Sequence, residues 1–291
     1  MSREWSSRRS FNPRRGVVGF LLAMFALVPS AEGVDFARRP VVSRLTGHTY
    51  RIYVHLPEDY SESDRSYDVL YLLDGDRHFG GTVDMLRARA ENESGRDIII
   101  VGIGYGKSAN RRKRDYTPVK VPGFPMGGGV KKFYRFLRKE LVPHIDRIYR
   151  TNAGRMGRCI AGHSLGGIAV CYGLMYHHDI FGRFIAISPA LWWGGGLFIN
   201  RYKMNFAGLS APPALRYYSA SGSLEDPSME ELAKRFARRA DEKAAGKILV
   251  RYSRFEGMGH DDIVIPALME GLKFVFSPDP DDTERALPGG P

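Results

Sequence analysis

The chain has 291 residues, of which 43% are hydrophobic and 26% charged, and its formal charge is +11. This is the composition of an ordinary soluble globular protein, long enough for one large domain or two small ones. The positive charge attracts anions, but no zinc-finger spacing, basic leucine zipper or RNP-like aromatic motif accompanies it, which argues against a nucleic-acid partner.

The first 33 residues are typical of an export signal. A basic stretch precedes an apolar run at 16–28, which is shorter than the ~20 residues needed to span a bilayer. Within the basic stretch, residues 7–11 (SRRSF) resemble a twin-arginine signal. We predict a signal peptide over residues 1–33 and a periplasmic or secreted protein with no stable membrane span. An uncleaved signal anchor, or a cytosolic protein with an irregular N terminus, is the alternative.

Strands and helices alternate along the rest of the chain. An alternating apolar and polar segment (HTYRIYVH) predicts a half-buried antiparallel strand, and two near-continuous apolar runs (YDVLYLLDG and DIIIVGIGY) predict buried parallel strands. Helical periodicity follows at 130–149, and four further strands and three further helices complete the pattern. The sequence predicts an α/β fold over residues 34–276, with a mostly parallel central sheet, antiparallel N-terminal strands and helices on both faces. The Pro-, Gly- and Asp-rich segment 277–291 is predicted to be disordered.

A serine lies between two glycines at the corner between one predicted strand and the following helix. The motif Gly162-His163-Ser164-Leu165-Gly166 in this setting is typical of a nucleophile elbow. We expect a side chain at Gly162 or Gly166 to collide with neighbouring backbone. The free N–H groups of the following helix would face the negative charge that develops during attack by Ser164.

A serine nucleophile needs a base to take its proton. His260 follows the last strand, on a glycine-bearing loop at the edge where an open α/β sheet gathers its functional loops. Glu225 follows the preceding strand and is the expected acid. Asp226 is the alternative acid. Ser228 and Glu231 form a predicted capping box at the start of the next helix, however, and Asp226 is expected to belong to the segment that leads into that helix.

Two backbone N–H groups are expected to form the oxyanion hole. One belongs to Leu165, directly after the serine, and the other to Asp76, in the loop after the YLLDG strand.

These residues and several longer motifs resemble one known group of enzymes. The motifs are VLYLLDGD, VGIGY with RRKRDYTP, FLRKELVPHIDRIYRT, AGHSLGGIAVCYGL, FGRFIAISPALWW, GSLED and GMGHDD. In this order they resemble the esterase D-like branch of the α/β-hydrolases, and within it the bacterial siderophore esterases that open enterobactin- and salmochelin-type trilactones. The similarity covers nearly all of residues 40–276.

The resemblance implies a serine ester hydrolase that forms an acyl-enzyme and needs no metal or organic cofactor. It implies Ser164 as nucleophile, His260 as base, Glu225 as third member, and Leu165 and Asp76 as oxyanion donors. Some members of the group rely on a Ser–His dyad, which leaves the acid open.

The substrate implied is a small-molecule ester, such as a ferric siderophore lactone or a similar anionic or aromatic ester. Arg112 lies in a cluster of basic residues and Trp193 in a tryptophan pair, both at the edge that carries Ser164, and we expect both to contact substrate. A solvated Arg cluster and a Trp pair that closes the core are the alternatives. A general short-acyl or carbohydrate-linked esterase, or a thioesterase, would share every catalytic residue. A non-catalytic binding protein on the same fold is the alternative of a different class.

Overall fold

Eight strands form one sheet in the computed structural model of the chain, which describes residues 37–92, 97–204, 206, 208–209 and 215–277. The predicted signal peptide at residues 1–33 and the predicted disordered segment beyond residue 277 lie outside these residues.

The strands follow one another along the sheet in the order β1-β2-β4-β3-β5-β6-β7-β8. β2 is antiparallel to both β1 and β4, and every other neighbouring pair is parallel, which confirms the predicted mixed sheet. The strands are β1 Ala37–Ser43, β2 His48–His55, β3 Asp68–Leu73, β4 Ile98–Gly104, β5 Arg158–His163, β6 Arg183–Ile187, β7 Leu215–Gly222 and β8 Ile248–Phe255.

Helices connect the parallel strands. They are α1 Gly75–Asn92, α2 Arg112–Asp115, α3 Val130–Phe136, α4 Val142–Ile148, α5 Leu165–Tyr176, α6 Leu197–Arg201, α7 Pro227–Ala244 and α8 Val264–Phe276. A π-helical turn, Leu137–Leu141, joins α3 to α4, and short 3₁₀ turns lie at Glu58–Ser61 and Arg155–Gly157. Among the described residues, no helix combines the length and the apolar character that crossing a membrane requires.

The sheet separates two apolar cores. All six residues of β3 are buried; Val69, Tyr71 and Leu73 pack into one core, and the alternate residues Leu70 and Leu72 pack into the other. This division follows from the two-residue period of a strand, because successive side chains point to opposite faces. The first core also contains residues of α3, α5 and α7, and the second contains residues of α1 and α8. Helices therefore cover both faces of the sheet, as the sequence predicts.

The topology brings several loops to one edge of the sheet. β3 to β8 are mutually parallel along the sheet, so the segments that follow them leave at the same side. Ligand sites of open α/β sheets lie at this carboxyl edge.

Candidate active site

Ser164 lies at a sharp turn between β5 and α5. Its φ of 59° and ψ of −116° lie outside the regions that a residue with a side chain normally occupies. Two backbone hydrogen bonds hold the turn: the Ser164 N–H donates to Ile187 O at 3.0 Å, and the Ala190 N–H donates to Ser164 O at 3.0 Å. Such a conformation costs of order 1 kcal/mol or more and persists because the surrounding structure fixes it.

Two glycines allow the turn to close. A Cβ on Gly162 would lie 2.6 Å from the backbone of Gly166, and a Cβ on Gly167 would lie 2.8 Å from Pro189 Cα. The expectation of a backbone collision at Gly166 is wrong, because a Cβ there would first meet the Asp74 Oδ2 atom at 3.4 Å, an ordinary contact. The glycine that the helix needs after the serine is Gly167, since it packs against the end of β6.

His260 and Glu225 meet at the same edge. The His260 Nδ1 atom and the Glu225 Oε1 atom are 2.5 Å apart and hydrogen bonded. The Glu225 side chain is 1% exposed, whereas that of His260 is 39% exposed. One end of the pair is thus enclosed in protein, and the other is accessible to solvent.

Three hydrogen bonds fix the Glu225 carboxylate. Besides the bond with His260, its Oε2 atom accepts the Ser188 hydroxyl and the Gly222 N–H, both at 2.8 Å. Burial acts to raise the pKa of Glu225, but the hydrogen bonds from His260, Gly222 and Ser188 outweigh it and leave the pKa below its ordinary value. Glu225 is therefore a carboxylate at neutral pH.

Asp226, the rival acid, has a different partner. Its carboxylate accepts the Ser228 N–H at 2.8 Å, which makes Asp226 the N-cap of α7. The predicted capping box at Ser228 is wrong, because Pro227 occupies the first helical position and the cap precedes it.

His163, next to Ser164, packs against His260. The two ring centroids are 4.4 Å apart, and His78 lies on the other side of His163 at 5.7 Å. Burial, with the charges of His260 and His78, lowers the pKa of His163 to about 3, so this ring is neutral. Among the described residues, no hydrogen bond joins the Ser164 hydroxyl to His260. Hydrogen bonds of this kind are often long without substrate and shorten when it binds.

The expected oxyanion donors lie at two adjacent helix starts. Leu165 is the first residue of α5 and Asp76 the second of α1, and N–H groups in a first turn have no acceptor within their helix. β3 and β5, which lead into these helices, are neighbours. The Asp76 carboxylate ties its own turn to the end of β4, since it accepts the N–H groups of Tyr105 and Gly106.

Arg112 stabilises the turn between β3 and α1 through Asp74. Its Nε and Nη2 atoms each lie 2.9 Å from an oxygen of Asp74, a bidentate pair. Asp74 has a φ of 54°, and its N–H donates to the Tyr116 hydroxyl oxygen at 3.2 Å. Arg112 lies at the predicted edge of the sheet, but two of its N–H donors are already hydrogen bonded to Asp74.

Trp193 is buried. It is 2% exposed, and its indole N–H donates to Val119 O at 2.9 Å, whereas Trp192 is 48% exposed. The expectation that Trp193 offers a ring face to substrate needs correction, because the accessible face of the pair belongs to Trp192.

Comparisons with known proteins identify the family of the chain. The model of the family described as "Putative esterase" matches residues 43–266. The ferri-bacillibactin esterase BesA of Bacillus subtilis is 30% identical over 262 residues, which cover 83% of this chain and 89% of that protein. A siderophore enterobactin esterase of Emericella nidulans is 26% identical over 78% of this chain and 89% of its own length.

A solved structure supports the assignment of the fold. The crystal structure of the BES protein from Bacillus cereus superposes with a TM-score of 0.74 at 26% identity and covers 84% of this chain and 97% of that one. The resemblance to esterases that the sequence motifs indicate is thus confirmed. The chain belongs to this esterase family, has the α/β-hydrolase fold and is a carboxylic ester hydrolase.

Proposed function

We propose that the chain is a serine esterase that cleaves siderophore esters through an acyl-enzyme. Ser164 is the nucleophile, His260 the general base and Glu225 the residue that orients His260. The observation that carries this assignment is the buried Glu225 carboxylate hydrogen bonded to His260 Nδ1, with the His260 ring packed against that of His163, the residue before Ser164.

The chemistry follows from the direction of that hydrogen bond. When His260 donates from Nδ1 to Glu225, its Nε2 atom is left as an acceptor for the Ser164 proton. The Ser164 oxygen attacks the ester carbonyl, and the protonated His260 then gives its proton to the leaving alkoxide. Water attacks the acyl-enzyme in the second half-reaction as the same imidazole takes one proton of that water. The bond between the acyl group and the Ser164 oxygen then breaks, the imidazolium returns the proton to that oxygen, and the carboxylic acid product leaves.

The N–H groups of Leu165 and Asp76 stabilise the oxyanion in both halves. Loss of one such donor costs about 3 kcal/mol in a transition state. The Asp76 carboxylate, bound to Tyr105 and Gly106, keeps its own N–H aimed at the site.

Two observations favour a siderophore ester as substrate. The relatives reported above are described as esterases of ferri-bacillibactin and of enterobactin. The net charge of +11 favours an anionic ligand, and ferric siderophores with catecholate groups are anions. The ferric ion arrives as part of this substrate.

We further propose that residues 1–33 direct export, so that the enzyme meets its substrate in the periplasm or outside the cell. Mass determination of the protein from the periplasmic fraction tests this proposal. Recovery of only the full-length chain, and only from the cytosol, would contradict it.

The nucleophile is tested by covalent labelling. We expect a serine-directed fluorophosphonate probe to label the wild-type protein at Ser164, and Ser164→Ala to abolish both labelling and ester hydrolysis. A non-catalytic binding protein on this fold would give no labelling at all.

The substrate class is tested by comparing two esters. We expect a ferric catecholate trilactone to be cleaved with a higher kcat/KM than p-nitrophenyl acetate. A general short-acyl esterase would show the opposite order.

A further inference from the structure

Phe124 and Trp192, two exposed aromatic side chains, both pack against the buried Trp193. The Trp193 ring centroid is 5.5 Å from that of Phe124 and 6.1 Å from that of Trp192. Phe124 is 40% exposed and Trp192 48%. Apolar rings of this size are rarely left in water without a reason when they occur together.

The support beneath these rings is rigid. The Trp193 indole is fixed by its hydrogen bond to Val119 O, and the Trp193 N–H donates to Ala190 O at 3.1 Å. Phe124 is presented by a tight turn in which its N–H donates to Val121 O at 3.0 Å. A prearranged surface binds a ligand without the entropy cost of ordering it first.

Positive charge borders the same surface. The Lys113 ammonium lies 4.1 Å from the centroid of the Phe124 ring. Arg112 and Arg114 are paired with Asp74 and Asp115, but no ion pair to Lys113 is found within the described part of the chain. The charge of Lys113 is therefore available to an anion beside the rings.

This surface adjoins the turn that holds Ser164. Trp192 follows Ala190 by two residues, and the Ala190 N–H is hydrogen bonded to Ser164 O. Two residues of chain span at most ~7 Å. On the other side, Lys113 follows Arg112, whose partner Asp74 lies beside Gly166.

We propose that Trp192, Phe124 and Lys113 form the subsite that binds a catecholate ring of the substrate, with the ring against the exposed indole and its anionic oxygens toward the Lys113 ammonium. The flat indole matches the ring, and the ammonium matches the charged oxygens. This inference rests on the proposed function, since it names the side chains that select the acyl part of a siderophore ester.

Binding without turnover tests the subsite separately from catalysis. The probe is the iron(III) complex of catechol, which contains no ester, titrated against the Ser164→Ala protein. We expect Trp192→Ala in that background to raise Kd about 10-fold. Trp192→Phe should retain part of the affinity because it keeps a flat ring, and Lys113→Gln should weaken binding and reduce its dependence on salt.

Matched controls lie elsewhere on the surface. Tyr176 is 39% exposed at the far end of α5, about 18 Å along the helix from Ser164, and Lys139 is exposed in the π-helical turn. Tyr176→Ala and Lys139→Gln should leave Kd unchanged. Equal Kd values for the Ser164→Ala parent and its Trp192→Ala and Lys113→Gln derivatives would overturn the subsite.

Kinetics in the otherwise wild-type protein provide a second readout. We expect Trp192→Ala and Phe124→Ala to lower kcat/KM for a ferric catecholate trilactone about 10-fold more than for p-nitrophenyl acetate. Equal losses on both esters would argue against the subsite. Failure of the proposed function looks different, because the wild type would then hydrolyse neither ester and resist the fluorophosphonate probe.

Discussion

The Glu225 carboxylate determines the orientation of the His260 ring. It receives the imidazole at one oxygen and the Ser188 hydroxyl and Gly222 N–H at the other, and its side chain is almost fully enclosed. An imidazole held in this way presents one tautomer toward the serine. An exposed carboxylate such as Asp226 could not hold the ring as firmly, because water would compete for its oxygens.

Replacement of Glu225 by glutamine should lower kcat while leaving the fold intact. The amide has nearly the same shape, but it favours the wrong imidazole tautomer and cannot stabilise the imidazolium. We expect kcat to fall by about 10²–10⁴-fold, a smaller deficit than the roughly 10⁶-fold loss expected for His260→Ala.

The matched control is Asp226→Asn, which alters the cap of α7 and leaves the His260 contact in place. Steady-state kinetics on p-nitrophenyl acetate give the comparison. Near-normal turnover of Glu225→Gln would show that the enzyme works as a Ser–His dyad, and a larger loss in Asp226→Asn would move the acid to Asp226.

Residue types and their order along the chain mark Ser164, His260 and Glu225 as candidates, because each lies shortly after the end of a recognisable strand. Exposure was harder to predict. Trp192 and Trp193 are adjacent and chemically identical, and only the register of the loop against Val119 decides which one is buried. The pairing of Arg112 with Asp74 likewise joins residues 38 positions apart, and no local pattern indicates it.

At the scale of elements, the turn from β5 to α5 depends on close contacts between backbone segments: the end of β5 against the start of α5, and α5 against the segment after β6. Gly162 faces Gly166, and Gly167 faces Pro189, both at distances that leave no room for a methyl group. The strand, the serine and the helix are therefore set by contacts that the glycines make possible.

Alanine substitutions should distinguish the glycines that the turn requires from Gly166, where a methyl group fits. We expect Gly162→Ala to lower the free energy of unfolding by about 1–3 kcal/mol through overpacking, and to lower activity as well. Gly166→Ala is the control, because its Cβ would make only an ordinary contact with Asp74 Oδ2 at 3.4 Å. Its free energy of unfolding should be within about 0.5 kcal/mol of the wild-type value.

Chemical denaturation of both variants, followed by circular dichroism, gives the comparison. Equal destabilisation of the two variants would contradict the geometry described here.

Apolar runs indicated the central strands because all residues of β3 and β4 are buried, so their composition reports their position. The start of α7 was misplaced because Asp226 and Ser228 are both good caps. Pro227 was the signal that could have decided between them, since proline favours the first position of a helix.

Across the whole molecule, several histidines are buried in the neutral form. Burial, with smaller contributions from nearby charges, lowers the pKa of His55 to about 4, that of His163 to about 3 and that of His177 to about 4. The unfolded chain takes up protons at these groups near pH 6.5, whereas the folded chain does not.

Acid should therefore destabilise the fold well above the pH at which carboxylates titrate. Because the unfolded state binds more protons, the free energy of unfolding should decrease as pH falls from about 6.5 to about 4, by up to about 1.4 kcal/mol per pH unit for each histidine. Below about pH 4.5, protonation of Glu225 acts in the same direction, since its pKa is also lowered on folding.

The variant His177→Gln should make this pH dependence shallower by about one proton, whatever its effect on stability at pH 8. Denaturant midpoints measured between pH 4 and pH 8 test it. Lys139→Gln is the control, because it replaces an exposed side chain and leaves every histidine in place. An unchanged slope in His177→Gln would show that His177 titrates normally in the folded protein.

The groups proposed to cleave the ester and most of those proposed to recognise it are carried by different loops. Glu225 and His260 follow β7 and β8, whereas Lys113 and Phe124 lie in the excursion between β4 and α3. Grafting that excursion from another esterase would change two of the three subsite residues and keep Trp192, and the graft would have to retain Tyr105, Gly106 and Arg112, which hold Asp76 and Asp74 in place. The chain thus offers a modular starting point for engineering hydrolases.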